Sequence, residues 1–586
     1  MIALFTLFFL FTFQVMGAQS DSDRLGAVAG ILRPESLRSP VNEVFQWSAT
    51  TKYKFSEDTN QIISATSYLW IPEHCQEIKG ALLFFKNVCD ESLTANPAIR
   101  SVCEAHGLAI VWVDSYIYLY AKDEKDDWKK KHGYPSGAAR EYAEFVSSIF
   151  SSLAEKSGYT ELSSIPWLPL AQSAQQPMLS FLLDGAPECC IAEIAVKDPR
   201  YSSAPNANRT VPLLNWKGTG SSWDQGSDFK TNGSFFAHWT DMSFYSPFLQ
   251  ARAKASSWPA SFVVEGWSSH FGASEAMVQY FAEYIAAAVE ARLPDRCGEP
   301  LKSINPSQGW VAGLPIPLKE NGRTPFAPIR FDEATAAQKA EPWFFTKSLA
   351  QKAYDIAAIN WSADTQCPAL LDESGNFYPH KYRDLQQFHV QLDEDGTFQL
   401  RGRLMDKLPS SFKVDGNSPL RMTPGSPIIY WLCGNAAPVG HDRWHIYLDR
   451  TSTAFSTDHG VNNPWFIIYQ PGDNHVRGVE QPFQVLFDVN QQGAVQKIDF
   501  GSIPDVTAGV KAIHLSAKAS SGLPVHYYVV AGPATIEKND LIFDSIPPRS
   551  KFPIPVTVVA WQWGSSTDPK FQTAPSVAQT FQINSP

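Results

Sequence analysis

Residues 165–177 read IPWLPLAQSAQQP, an apolar run that ends on Ser173 and passes into a segment able to begin a helix at Pro177. A serine displayed on a sharp strand-to-helix turn usually has glycine two residues to either side, G-x-S-x-G, because the chain passes close to its neighbours there. Here Ala171 and Gln175 occupy the two glycine places. Taken alone, the stretch reads equally well as a turn or helix cap, positions that serine favours by bonding nearby backbone N–H groups.

Working outward, the chain from about Ile62 to Leu293 alternates strand-like and helix-like patterns, which predicts a sheet covered by helices on both faces. QIISATSYLWIP alternates as an early antiparallel strand does, whereas KGALLFF and GLAIVWVD are continuous apolar runs suited to strands buried on both sides. Between those two runs, NPAIRSVCEAHG carries Ile99, Val102 and Cys103 on a helical stripe and closes on Gly107. In AAREYAEFVSSIFSSLAEKSG a second stripe joins Tyr142, Phe145, Val146, Ile149, Phe150 and Leu153. Beyond Ser173 come a helix over about 177–183, the strands CCIAEIAVK, TVPLLNW and ASFVVEG, and the amphipathic helix SEAMVQYFAEYIAAAVEARLP.

This order resembles the α/β-hydrolase family: alternating strands and helices, a serine at a strand-to-helix corner, a later acid loop, and a histidine loop before the last helix. The resemblance covers the first half of the chain. It implies Ser173 as nucleophile and His270, in VVEGWSSHFGASEAMVQYF, as the general base that takes the hydroxyl proton. For the carboxylate that orients the imidazole it points to the loop KGTGSSWDQGSDF, with Asp224 first and Asp228 second; spacing does not separate them. An oxyanion hole would take one backbone N–H from Ala174 and another from KNVCD, around Lys86 or Asn87, with the Asn87 side chain as an alternative donor. Glu265, at the end of the last strand, is a poor substitute for the acid.

From 296 to 380 prolines crowd the chain around one helical patch, FFTKSLAQKAYDIAAINW, which reads as a connector packed on its neighbours. Residues 381–495 are strand-like. In QQFHVQLDEDGTFQLRGRLM, Asp395-Gly396 between alternating runs predicts a hairpin, and SPIIYWLCG, DRWHIYLDR, NPWFIIYQP and QPFQVLFDV extend it into an antiparallel sandwich. Residues 496–586 read as a second β-sandwich, whose ASSGLPVHYYVVAGPA stretch resembles bacterial immunoglobulin-like modules of exported proteins. The expected fold class is therefore a three-layer α/β unit over 21–295, the connector, and two all-β sandwiches.

Residues 1–20 form an apolar run ending in small residues, read as a secretory signal cleaved between Gly17 and Ser20. The run lacks a basic start. An uncleaved anchor is the competing reading, though the run is short for a span and has no basic flank. The expectation is a secreted, periplasmic or cell-surface protein with no stable membrane span after cleavage. Eight cysteines in an exported chain permit disulfides. Three sequons begin at Asn208, Asn232 and Asn360. His441, Arg443 and His445 share one face of a strand and read as a polar sandwich surface rather than a metal site.

A formal net charge of −11 argues against a broad phosphate-binding surface, so nucleic acid is dropped as a partner. The aromatic stretch TNGSFFAHWTDMSFYSPF suits either a pocket roof or ordinary packing. These readings converge on a serine esterase acting on a carboxylic ester, with polymeric carbohydrate as a candidate substrate and no metal or organic cofactor required. A non-catalytic surface or binding protein built on a degenerate hydrolase fold is the alternative, and an amidase with the same triad is a third.

Overall fold

The computed structural model describes residues 44–586 except 55–61, 115–137, 198–209, 220–244, 297, 318–322, 360, 362–365, 379–385, 391, 394–395, 408–420, 441, 452–462, 474 and 488–489. Residues 1–20, Asp224, Asp228, Cys297, His441 and the three sequon asparagines therefore lie outside the described residues.

The first half is built on one eight-stranded sheet. Its strands are β1 (Trp47–Lys54), β2 (Ile62–Trp70), β3 (Gly80–Phe85), β4 (Leu108–Asp114), β5 (Trp167–Gln172), β6 (Glu193–Val196), β7 (Leu213–Gly218) and β8 (Ala260–Glu265). They lie in the order β1-β2-β4-β3-β5-β6-β7-β8. β2 runs antiparallel to β1 and β4, and from β4 across to β8 every pairing is parallel. β3 and β5 through β8 are buried along their whole length, which is why they read as unbroken apolar runs.

The helices are α1 (Cys89–Thr94), α2 (Pro97–His106), α3 (Ala138–Ser157), α4 (Pro177–Gly185), α5 (Tyr245–Lys254) and α6 (Glu275–Arg292). From β3 to β4 the chain steps one way across the sheet, and from β4 to β5 and β5 to β6 the other way. Right-handed crossovers then put α2 on the face opposite α3 and α4. The packing agrees: α2 lies against α6, and α3 against α4. Helix ends follow local chemistry. Asn96 caps α2 by accepting from Ala98 N–H at 2.9 Å, and Gly107 closes it in the left-handed region at φ 66°. This is the α/β arrangement, a mostly parallel sheet with helices on both faces, expected for the first half.

Three elements here escape the sequence reading. β1 is a sheet-edge strand with few buried residues. α1 begins inside KNVCD, which reads as a loop. α5 begins inside the aromatic stretch before 249.

The proline-rich segment forms β9 (Trp310–Gly313), β10 (Phe326–Arg330) and β11 (Trp343–Phe344) in the order β10-β9-β11, with α7 (Lys347–Ala357) packed on β8. Fully buried Arg252 of α5 fastens the segment, donating to the carbonyls of Lys339 (2.7 Å) and Glu341 (3.1 Å) as well as to Ser256 and Trp258 near its own helix.

The remainder is β-rich. Strands β12 (Pro368–Leu370), β13 (Gln386–His389), β14 (Thr397–Gln399), β15 (Gly402–Leu404), β16 (Ile428–Cys433), β17 (Ala436–Pro438), β18 (Arg443–Ile446), β19 (Trp465–Gln470) and β20 (Val479–Leu486) form the sheets β13-β20-β19-β16, β14-β18-β17 and β12-β15. The expected hairpin across Asp395-Gly396 is corrected by this pairing. Gly396 does turn at φ 76° and donates to Asp393 O at 2.9 Å, but β13 runs parallel to β20 while β14 pairs with β18. The turn moves the chain between sheets: Phe388 packs on Tyr378, whereas Phe398 packs on Phe466 and Phe487. In the last ninety residues, strands Val506–Thr507, Val577–Asn584, Ile554–Trp561 and His526–Ala531 form a four-stranded sheet beside a three-stranded one.

The halves share one continuous core. Arg450 clasps them: it donates to Gly532 O (2.9 Å), Ala534 O (2.8 Å) and Phe45 O, while Tyr68 OH donates to its carbonyl (3.0 Å). Cys75, Cys89, Cys103, Cys189, Cys190 and Cys367 are unbridged thiols, so the disulfides that the exported reading permits are not formed among them. Burial pushes the Cys89, Cys103 and Cys367 thiols far above the ordinary range, as expected of packing groups.

Candidate active site

Ser173 stands at the carboxyl end of β5, the first residue of a short 3₁₀ turn (Ser173–Gln175) that leads into α4. Its φ is 47°, a left-handed backbone that L-residues other than glycine rarely adopt and that costs about 1–2 kcal/mol. Both altered glycine places are buried, at different cost. Ala171 is fully buried in β5, and Gln175 packs inward at 1% exposure with neither carboxamide atom hydrogen-bonded. Gln176 is also buried and donates from Nε2 to Val196 O at 2.8 Å, tying the turn to β6.

His270 follows β8 in the loop 266–274. Its Nε2 lies 2.7 Å from Ser173 Oγ, although 97 residues separate them. Burial, helped by the cations Lys217 and Lys197, pulls the imidazole pKa down to about 3, so the ring is neutral at ordinary pH. With the proton on Nδ1, Nε2 accepts from the serine hydroxyl. Asp224 and Asp228, expected behind the ring, lie outside the described residues.

The loop after β3 departs from its expected role. Lys86 N–H donates to Val113 O (3.0 Å), and Asn87 N–H to Asp90 Oδ1 (2.7 Å). Both backbone donors proposed around Lys86 or Asn87 are thus already engaged, and the Asn87 side chain donates to Gln172 O at 2.7 Å. Asp90, which also accepts from Trp112 Nε1 (2.6 Å), pins the loop from a fully buried position where desolvation lifts its pKa to about 6. Ala174 occupies the place after the serine, inside the 3₁₀ turn.

Gln172 was missed by sequence reading. Fully buried, it accepts at Oε1 from Val88 N–H (3.2 Å) and Cys89 N–H (2.9 Å) and donates from Nε2 to His270 O (3.0 Å). One carboxamide therefore joins the loops that follow β3, β5 and β8.

Beneath the histidine loop lies a buried charge cluster that sequence reading also missed. Glu265 pairs with Lys197 at 3.5 Å with both side chains fully buried, and accepts from Trp216 Nε1 (3.1 Å) and Ser274 Oγ. Lys197 also donates to Ser268 Oγ. Glu265 is thereby occupied below the loop, in keeping with its rejection as the triad acid. Only the apolar ends of β6 and β8 hinted that charges there would be covered.

No family model matches this sequence, and none of the curated proteins does. Among solved structures, the first half is similar to a poly(3-hydroxybutyrate) depolymerase from Bordetella parapertussis at 11% identity, covering 44% of this chain and 97% of that one with a TM-score of 0.25. It is similar as well to a dienelactone hydrolase from Anabaena variabilis, at 15% identity over 42% of this chain and 99% of that one, TM-score 0.23. A third is an acylaminoacyl peptidase from Pyrococcus horikoshii, at 10% identity over 43% of each chain, TM-score 0.25.

Proposed function

We propose that this protein is a serine hydrolase that cleaves carboxylic esters through an acyl-enzyme on Ser173. The observation that carries the reading is the 2.7 Å contact between Ser173 Oγ and a neutral His270 Nε2, made at a serine held with φ 47°. A strained strand-to-helix turn that presents a hydroxyl to an imidazole is the arrangement of an activated nucleophile.

In this reading His270 Nε2 takes the hydroxyl proton as Oγ bonds to the ester carbonyl carbon. The imidazolium returns that proton to the leaving alcohol oxygen as the C–O bond breaks. Water, deprotonated by the same nitrogen, then attacks the acyl carbon and releases the carboxylic acid, restoring the serine. Asp224, or Asp228 in its place, orients the ring, and Ala174 N–H stabilises the oxyanion.

The finer architecture belongs to the same proposal. The sheets of 366–487 and of 496–586 each comprise four-stranded and three-stranded members, which supports two sandwiches, the second immunoglobulin-like. Such appended units raise effective concentration on a polymer or surface, in keeping with a secreted esterase whose substrate is a polysaccharide ester. The apolar residues 1–20 are in keeping with export, and among the described residues no helix is long and apolar enough to cross a membrane.

The engaged N–H groups of Lys86 and Asn87 favour one other reading, a binding protein that keeps the hydrolase shape without turnover. A fluorophosphonate probe and a chromogenic acetate ester decide between them. Covalent capture and ester turnover, both abolished in Ser173→Ala, establish the hydrolase; folded wild-type protein that neither labels nor turns over establishes the scaffold. Amide analogues run beside the esters separate an esterase from an amidase.

A further inference from the structure

Glu480 sits on β20, in the β-rich part, 211 residues after the histidine loop that it enters. Its side chain is buried at 2% exposure. Oε2 accepts from Ser269 N–H, the residue immediately before His270, at 2.6 Å, and Oε1 accepts from Tyr430 OH of β16 at 2.8 Å. The loop closes tightly on this carboxylate: a Cβ at Gly272 would lie 2.0 Å from Glu480 Oε2, so a side chain there would require the carboxylate to shift. Immediately after His270, Phe271 sets its ring against Trp465 of β19 at 4.9 Å between centroids, and against the His270 ring at 4.8 Å. Residues 269 and 271 are thus held by the β-rich part, Gly272 N–H donates within the loop to Ser269 Oγ, and Gln172 holds the His270 carbonyl from the other side.

We propose that Glu480 is a positioning residue for His270, and that the β-rich part completes the catalytic centre by gripping the loop that carries the general base. The proposal rests on the hydrolase reading above. It follows from what the loop lacks. Residues 266–274 include two glycines and three serines and no regular structure, so the loop has little stiffness of its own. The 2.6 Å hydrogen bond from Ser269 N–H to Glu480 Oε2 ties the backbone one residue from the imidazole. Without it the ring has freedom to drift from the serine, and displacements near 1 Å cost about 100-fold in rate.

The test compares full-length wild type, Glu480→Ala and Glu480→Gln for fluorophosphonate labelling rate and for kcat and KM on a chromogenic acetate ester, each variant first checked for folding by circular dichroism. Glutamine restores one acceptor for Ser269 N–H and a donor for the Tyr430 oxygen. The expectation is a loss of about 10- to 100-fold in labelling rate and kcat for Glu480→Ala with KM within twofold of wild type, and recovery of most of that loss in Glu480→Gln. If the alanine variant does not fold, Glu480→Asp, with its carboxylate withdrawn by one methylene, carries the same test with at least a threefold loss in kcat. A folded Glu480→Ala or Glu480→Asp that labels at the wild-type rate overturns the positioning role alone. A wild type that does not label overturns the hydrolase reading, and this proposal with it.

Discussion

The Gln172 carboxamide donates to the main-chain oxygen of His270 at 3.0 Å, so the residue before Ser173 holds the residue whose imidazole contacts the serine hydroxyl. The same side chain satisfies Val88 N–H and Cys89 N–H. Replacing it with leucine keeps the volume near its present value and strands three buried polar groups. Each such group costs about 1–3 kcal/mol. Gln172→Leu should therefore lose at least about 2 kcal/mol in urea unfolding and label with fluorophosphonate at least about tenfold more slowly, whereas unchanged labelling in folded protein would show that the bridge serves stability alone.

The backbone at Ser173 separates strain from chemistry. With φ at 47°, a glycine there relieves a cost of about 1–2 kcal/mol, partly offset by the greater entropy of glycine in the unfolded chain. Ser173→Gly and Ser173→Ala should both abolish labelling, yet the glycine variant should unfold at higher denaturant than the alanine variant, by about 0.5–1 kcal/mol. Equal midpoints would mean that the turn relaxes when the hydroxyl is removed.

How far these relationships could be read from sequence depends on how far apart their members lie in the chain. Chain order alone placed Ser173 and His270 in loops that follow buried strands, because parallel strands buried on both faces leave long apolar runs and the connecting loops then fall at known ends; Asp224 and Asp228 lie outside the described residues. What surrounds the serine was illegible. Gln172, Glu480 and Lys197 are polar residues at strand ends or within strands, and the partners of their side chains sit 50 to 211 residues away, so no local pattern records them. The hairpin at Gly396 failed for a related reason: a glycine turn fixes where the chain bends, while the burial of Phe388 and Phe398 decides which sheet each strand joins. Within the proline-rich segment, β9 through β11 are too short for alternation to register.

The depressed imidazole pKa makes a claim about pH. In the unfolded chain His270 takes up a proton near pH 6.5, and in the folded protein only near 3. Between these values the unfolded state binds more protons, so stability falls as pH drops from about 6.5 toward 3, and is unaffected by this group above that window. Activity has the opposite tolerance, since the ring stays a competent base. Labelling should hold nearly constant from pH 8 to pH 5 and decline only below about pH 4, and the urea midpoint of His270→Gln should fall less steeply between pH 6.5 and 4 than that of wild type. An acid limb centred near 6.5 would show that the ring is solvated in solution.

The pair Lys197–Glu265 lies fully buried at 3.5 Å under the histidine loop, and its energetics distinguish holding the loop from merely filling space. Removing the cation alone leaves the buried Glu265 carboxyl, which lies near that of Glu480, with Trp216 Nε1 and Ser274 Oγ as its remaining partners. Breaking such a pair from one side costs about 3–5 kcal/mol, whereas replacing both members can be near neutral. Lys197→Met should accordingly destabilise by that amount, and Lys197→Met with Glu265→Leu should recover more than half of it in a double-mutant cycle. If the charges serve only packing, the double variant recovers labelling together with stability. Because Lys197 also donates to Ser268 Oγ, two residues before His270, the expectation is that stability returns while labelling stays low.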